Sequence, residues 1–375
     1  MFIPPHCVNP ECRHYQTPQK PDWYRFIGYY PTITFGMIPR FRCRHCGKSF
    51  STQTFSIDYY AKKRLDYQRI CSQINNGGGI RFTARMMKVK PDSIINRINR
   101  MARNAVVGNQ MIIKELPFEE DLVIDGLQNF CGSQYFPDNY TILVGKDSQF
   151  VYEADYATVR RGGSLRPDQK AKRAALEKIF RAESGAIRRS FERLLDFVSD
   201  RREEGSLPLI IYTDEKKDYL RAFWNTTRFS KKMFRGDWRH HRTNSKVGRN
   251  TLNPLFAVNY IDREIRKDMA SQARETVQFP RNAANAMLRM NLYFFDHNVW
   301  KPYRIRDLHH LERRHSLEAG LERSRLEEVI EGFFSKRFFV PRGLELSQSA
   351  MMTLNRQWVT PLKKKEEHVA DFLAA

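Results

Sequence analysis

The sequence predicts an α+β chain of several domains. Three observations predict it. Paired cysteines crowd the first residues, and short apolar runs in the middle end on aspartates, as strands do at a sheet edge. Basic stretches of helical period lie between these regions and after them. Four textures therefore divide the 375 residues: a small cysteine-bearing unit at 1–57, a basic helical unit at 58–110, a strand-and-helix core at 118–300, and a charged helical region at 301–375.

Charge restricts the function classes. Lys and Arg number 64 against 42 Asp and Glu, a net +22. That excess points to a polyanion, nucleic acid first and an anionic membrane surface a distant second. No apolar run approaches the roughly 18 residues that span a bilayer, and the first residues lack the basic-then-apolar pattern of a signal peptide. The expected compartment is the cytoplasm, where thiols stay reduced, so the six cysteines read as metal ligands or core residues rather than disulfides.

In the first unit, Cys7-x4-Cys12 precedes Cys43-x2-Cys46, the latter inside Cys43-Arg-His-Cys-Gly-Lys-Ser-Phe. Two close pairs so separated suit tetrahedral zinc, and predict a zinc ribbon with Cys7, Cys12, Cys43 and Cys46 as ligands. Gly47 permits the positive φ that turns backbone amides toward the sulfurs. Four thiolates on a structural zinc supply folding energy that so small a unit lacks. His6, His14 and His45 stand beside the cysteines as substitutes for one of them.

The second unit reads as a helix-turn-helix. One helix carries Ile70 and Ile74, the Gly77-Gly78-Gly79 run turns the chain, and a second carries Phe82, Met86 and Met87. After Lys90-Pro91, Asp92 or Ser93 caps a third helix with Ile94, Ile95, Ile98 and Met101 along one face. Its opposite face presents Asn96, Arg97, Asn99, Arg100 and Arg103. With Arg81 and Arg85 these are the expected DNA contacts, since Arg and Asn suit base edges and phosphates in a major groove. The alternative is a three-helix packing module with a solvated basic face.

In the core, Leu122-Val-Ile-Asp125 is a short apolar strand ending on a carboxylate. Tyr140-Thr-Ile-Leu-Val144 and Phe150-Val-Tyr-Glu-Ala154 follow as strands. One long amphipathic helix comes next, with Leu176, Ile179, Phe180, Ile187, Phe191, Leu194, Leu195 and Val198 at helical spacing. Leu207-Pro-Leu-Ile-Ile-Tyr-Thr-Asp214 is a further strand ending on an aspartate. Two such strand ends place Asp125 and Asp214 where hard cations, Mg or Mn, are shared for phosphoryl transfer. The third carboxylate is expected on a helix starting at Asn259. Asp262 lies on the face of Asn259, Arg263 and Arg266, while Glu264, the reserve candidate, points well away. Asn259 with Asp262 also fits an N-cap and a first-turn acid without catalysis.

At this point the chain resembles the transposases of short bacterial insertion sequences, of the InsA–InsB type, over roughly residues 1–300. The resemblance rests on the Cys43-to-Phe50 ribbon, the helix-turn-helix, Tyr212-Thr-Asp214, and Arg266 followed by Arg274-Glu-Thr-Val-Gln-Phe-Pro-Arg281, which is similar to the family's Arg-x-Thr-x-x-Phe-x-Arg. It implies an RNase H-like mixed-sheet α/β core and a DDE triad whose first two members are Asp125 and Asp214. It also implies double-stranded DNA as partner, both terminal inverted repeats and target, bound by at least a dimer in the bacterial cytoplasm at the nucleoid. Counting back from Arg274, the family's glutamate falls on Asn259, and its Asn three residues later falls on Asp262. The two groups are exchanged on one helical face. The family divides these parts between two reading frames, whereas here they are continuous.

Between Trp224 and Asn250 eight Lys or Arg surround Phe234, Trp238, His240 and His241, a DNA clamp or a solvated loop. Leu317, Leu321, Leu326, Val329 and Ile330 suggest an amphipathic helix, for another subunit or for the core. The expected function is DNA strand cleavage and transfer with a structural zinc and catalytic Mg or Mn. The alternatives are an inactive, transposase-derived DNA-binding regulator and an RNase H-like nuclease acting on RNA or hybrids.

Overall fold

A computed structural model describes residues 2–18, 20–202, 207–244, 246–304 and 312–363 of the chain. Parts of the predicted C-terminal region, 305–311 and 364–375, lie outside the described residues. The N-terminal strands β1 (Tyr24–Thr32), β2 (Gly36–Cys43) and β3 (Ser49–Ser51) pair antiparallel in that order. Trp23, Phe41 and Phe50 form a small core with Cys7, Cys12 and Cys43.

The larger sheet has five strands: β4 (Leu122–Phe130), β5 (Pro137–Gly145), β6 (Val151–Thr158), β7 (Leu209–Asp214) and β8 (Trp238–Thr243), in the order β6-β5-β4-β7-β8. Strands β4, β5 and β6 run antiparallel, whereas β7 and β8 continue parallel to β4. Strand β4 is therefore central, which explains why Leu122, Val123 and Ile124 are all buried rather than alternating. Period-two alternation sends Leu122 and Ile124 into one apolar cluster and Val123 and Leu127 into the other.

Helices α1 (Tyr67–Asn75), α2 (Ile80–Met86) and α3 (Pro91–Glu115) occupy the predicted helix-turn-helix, with Gly77 at φ 83° in the turn. Helix α3 runs through residue 110, so the predicted boundary there falls inside a helix. Its apolar side shares one core with β4 and with α9 (Ala283–Val299).

The long helix predicted across Leu176 and Val198 is two: α4 (Pro167–Glu177) and α5 (Ala186–Arg201), separated around Gly185 in the left-handed region. Ile179 lies in the break and is exposed, which is why the periodicity of its neighbours did not carry through it. Between β7 and β8 lie α6 (Lys217–Asn225) and α7 (Thr227–Arg235), the crossover that parallel strands require. The basic segment predicted as a clamp or loop thus contains α7 and edge strand β8. Helix α8 (Phe256–Asp268) follows. It begins three residues before Asn259, so Asn259 is a helix-interior residue and not a cap.

The C-terminal helices α10 (His315–Glu318), α11 (Arg323–Ile330) and α12 (Gln348–Leu354) are short. Leu321, Leu326 and Val329 are buried in the main core, so this apolar stripe packs within the subunit. The segment between α11 and α12 folds back on the cysteine unit. Ile57 N–H donates to Ser335 O, Tyr15 Oη–H to Val340 O and Arg342 to Cys12 O. No helix among the described residues is long and apolar enough to cross a membrane.

Glu153 on β6 is buried, accepting from Ser347, Gln110 and the Ala154 amide. Burial pushes its carboxyl up to about 7, from an ordinary 4.5. Between these values the folded chain keeps a proton that the unfolded chain has released, so stability falls as pH rises through that window. Glu153→Gln removes this dependence. Its stability relative to the parent is expected to rise by on the order of 3 kcal/mol from pH ~4.5 to ~7, at about 1.36 kcal/mol per tenfold. Urea unfolding at both ends of the range checks it, and a pH-independent difference contradicts it.

Candidate functional site

Strand register brings the first two aspartates together. Leu122 pairs with Ile211 and Val123 with Tyr212. Asp125 and Asp214 are two residues further along each strand, on the same face as Val123 and Tyr212, whose apolar cluster includes helix α8 through Val258, Ile261 and Ile265. Asp262 follows Ile261, so three elements direct three carboxylates to one place.

Charge coupling gives the same grouping. Asp125 is raised above the usual carboxylate range by burial and then by Asp214, against Lys216, the Gly126 amide and Arg249. Burial and then Asp125 push Asp262 up to about 7, against Arg266, Arg249 and Lys216. Asp125 Oδ1 accepts from the Gly126 amide at 2.7 Å, and Asp214 Oδ1 from the Lys216 amide at 2.9 Å. Asp262 Oδ1 is buried with no hydrogen-bond partner among the described residues. An orphaned buried carboxylate oxygen is costly unless a cation takes it. The three carboxylates do not close to within 4.8 Å of one another as a set; among the described residues only the four cysteines do.

Glu264 is elsewhere. It is buried near Tyr260 and Tyr293, with Lys267 Nζ at 3.7 Å. The turn of the helix between residues 262 and 264, about 200°, explains the separation.

Sequence reasoning placed Arg266 on the face of Asp262 but did not single out Lys216 or Arg249 as cations beside the aspartates. Lys216 and Arg249 act on both Asp125 and Asp262, and Lys216 Nζ also reaches Tyr219 Oη at 3.3 Å. Arg266 lies one turn beyond Asp262, and its guanidinium donates to Gln272 O at 3.0 Å and Gln128 O at 2.8 Å. The i, i+4 spacing was the available signal. Of the histidine pair, strand alternation separates the members. His240 Nε2 is 2.7 Å from Thr213 Oγ1, beside Asp214, with its ring on Phe223 at 4.4 Å. Burial lowers it to about 4, so it is neutral and serves to fix Thr213. His241 is exposed against Tyr212.

The second cluster is the cysteine set. Cys7 and Cys46 sulfurs are 3.5 Å apart, and those of Cys12 and Cys43 are 3.8 Å apart. Four thiolates at 2.3 Å from one tetrahedral ion would be separated by about 3.8 Å. The four are placed to bind a structural metal such as zinc. Gly47 has φ 72°, and its amide donates to Cys43 O at 3.1 Å. His14 stacks on Trp23, and His6 packs edge-on against Tyr15 and Phe55. Neither belongs to the metal-binding set, nor does His45.

The face expected to contact DNA is turned toward the protein's own linker and C-terminal segment. Asn96, Arg97, Asn99, Arg100 and Arg103 are engaged inside the protein. Arg100 donates to Ile57 O at 2.9 Å and to Tyr59 O, and Arg97 to Lys63 O at 2.5 Å. Asn96 accepts from both arginines, Asn99 donates to Asn285 at 3.4 Å, and Arg103 donates to Leu354 O at 2.8 Å. The reason is local. The irregular linker at 57–63 leaves carbonyls that no strand or helix satisfies, and α3 supplies donors to them. Arg81 and Arg85 alone among the predicted DNA contacts are exposed, on α2.

No protein-family profile matches the chain, and no curated protein matches it. The residues themselves carry the functional argument.

Proposed function

We propose that the chain is a DNA transposase that cleaves and joins DNA strands by metal-dependent phosphoryl transfer on an RNase H-like core. One observation carries the reading: Asp125, Asp214 and Asp262, from two adjacent strands and a helix, come together at one half-buried place where an oxygen of Asp262 has no partner among the described residues. The sheet supports it, with three antiparallel strands followed by two parallel ones and the first aspartate on the central strand. The net charge of +22 supports a polyanionic substrate.

Asp125, Asp214 and Asp262 would hold Mg or Mn ions, which supply Lewis acidity and an activated oxygen nucleophile. The chain's own groups do the rest. Lys216, Arg249 and Arg266 place positive charge beside the carboxylates, and His240 holds Thr213 in position next to Asp214. Cys7, Cys12, Cys43 and Cys46 hold a structural zinc. Terminal inverted repeats and target DNA are the partners, engaged by at least a dimer in the bacterial cytoplasm.

The test is cleavage of DNA carrying the flanking terminal repeats, with the full chain and Mg²⁺ or Mn²⁺. Metal-dependent nicks at the repeat ends are expected. Tight repeat binding with no cleavage in either metal identifies a regulator instead, a reading that Asn259 at the family's glutamate position favours. Cleavage confined to RNA or hybrids identifies an RNase H-like nuclease.

A further inference from the structure

With the predicted recognition face buried, the exposed basic groups of α2 belong to a different feature. The turn between α1 and α2 faces the loop of residues 269–282 across a groove of about 990 Å³. Arg81 and Arg85 from α2, Arg281 from the loop and Arg289 from α9 line it, and no carboxylate does. None of the four arginines is in an ion pair among the described residues. The groove is therefore a concentrated positive site with no internal compensation, in which an anion gains most.

Its walls are held in place. The Gly77 amide donates to Asp268 O at 2.6 Å, fastening the turn to the end of α8. Gly79 lies so close to Gln278 that a Cβ there would meet Oε1 at 2.0 Å. Between the arginines the surface is mixed: Phe82 and Phe279 offer ring faces, while Gln278 and Asn285 offer amides. Rings for stacking, amides for base edges and arginines for phosphates are what unpaired nucleotides require. A free phosphate would not use the rings, and a duplex is far wider than a cavity of this volume.

The groove also adjoins the aspartates. Met269, which lines it, is seven residues beyond Asp262, about 10 Å along the axis of α8 at 1.5 Å per residue. Phe279 packs on Phe130, at the end of the strand that carries Asp125, with ring centroids 4.8 Å apart.

We propose that this groove binds an unpaired DNA strand passing to or from the three-aspartate site. The proposal deepens the transposase reading and rests on it for the strand's destination. Binding, however, needs no cleavage, so the two can fail separately. The experiment is fluorescence anisotropy of a labelled ten-nucleotide thymidine strand with the full chain, without added Mg²⁺, over a salt series. Arg81→Gln with Arg281→Gln is expected to weaken binding at least tenfold and to flatten the salt slope by about 1.4, at roughly 0.7 per phosphate contact. Lys170→Gln, an exposed charge on α4 outside the groove, is expected to change affinity less than twofold. Loss in the double variant no greater than in Lys170→Gln overturns the proposal. So does tighter binding of a uridine strand of equal length, or a duplex affinity that falls as much as the single-strand affinity. If native protein never cleaves repeat DNA yet the arginine-dependent binding persists, the groove stands and the catalytic reading falls.

Discussion

Asp262→Asn is expected to lower Mg²⁺-dependent cleavage of repeat DNA by roughly a thousandfold, about 4 kcal/mol of lost transition-state stabilisation. Glu264→Gln is expected to leave cleavage within about threefold. The two residues share a helix, but only Asp262 is coupled to Asp125. Neither change is expected to unfold the protein, because each preserves side-chain volume. Burial already disfavours the Asp262 anion, and Glu264→Gln gives up only the contact with the exposed Lys267. Single-turnover cleavage with matched thermal unfolding decides the matter. Equal loss in both variants returns the third carboxylate to an open question. Loss in Glu264→Gln alone moves it there.

Emptying the metal site proposed at Cys7, Cys12, Cys43 and Cys46 should have the largest effect on folding. Apparent zinc-binding energies of about 10–16 kcal/mol in small zinc units exceed anything that the short core of Trp23, Phe41 and Phe50 supplies. A strong chelator at neutral pH, or Cys43→Ser, is expected to disorder the N-terminal sheet while the five-stranded sheet persists. Trp23 lies against Phe50 at 5.4 Å between centroids and should shift in fluorescence, with one zinc released per chain. An unchanged Trp23 signal after complete chelation would mean that packing alone holds the unit.

What the sequence disclosed follows from how local each signal is. The cysteine pairs were legible because four thiols that converge on one point show it in their paired spacing along the chain. Asp125 and Asp214 stood out because each follows a short apolar run, although only Asp214 ends its strand: β4 continues five residues past Asp125, to Phe130, where alternation with polar residues hid its length. Strand β8 was not: an edge strand with Arg239, His241 and Arg242 on it has no apolar alternation to display. The face of α3 misled for a physical reason. Arg and Asn on a helix look the same whether they meet phosphate oxygens or the peptide carbonyls of the protein's own linker. Only the position of residues 57–63, fixed by tertiary packing, separates the two. The break between α4 and α5 likewise hides behind apolar residues whose spacing suits one long helix.

The return of the C-terminal segment onto the cysteine unit has a consequence for biosynthesis. Tyr15 and Val340 are 325 residues apart in the chain and joined in the fold. During translation the cysteine unit emerges before α12, yet its closing contacts belong to a segment 325 residues further on. Long loop closures of this kind are slow steps. The nascent protein therefore spends most of its synthesis with the flank of the cysteine unit, and the Arg103 and Asn104 part of α3, uncovered. Only when the segment that follows α11 has been made can they be sealed.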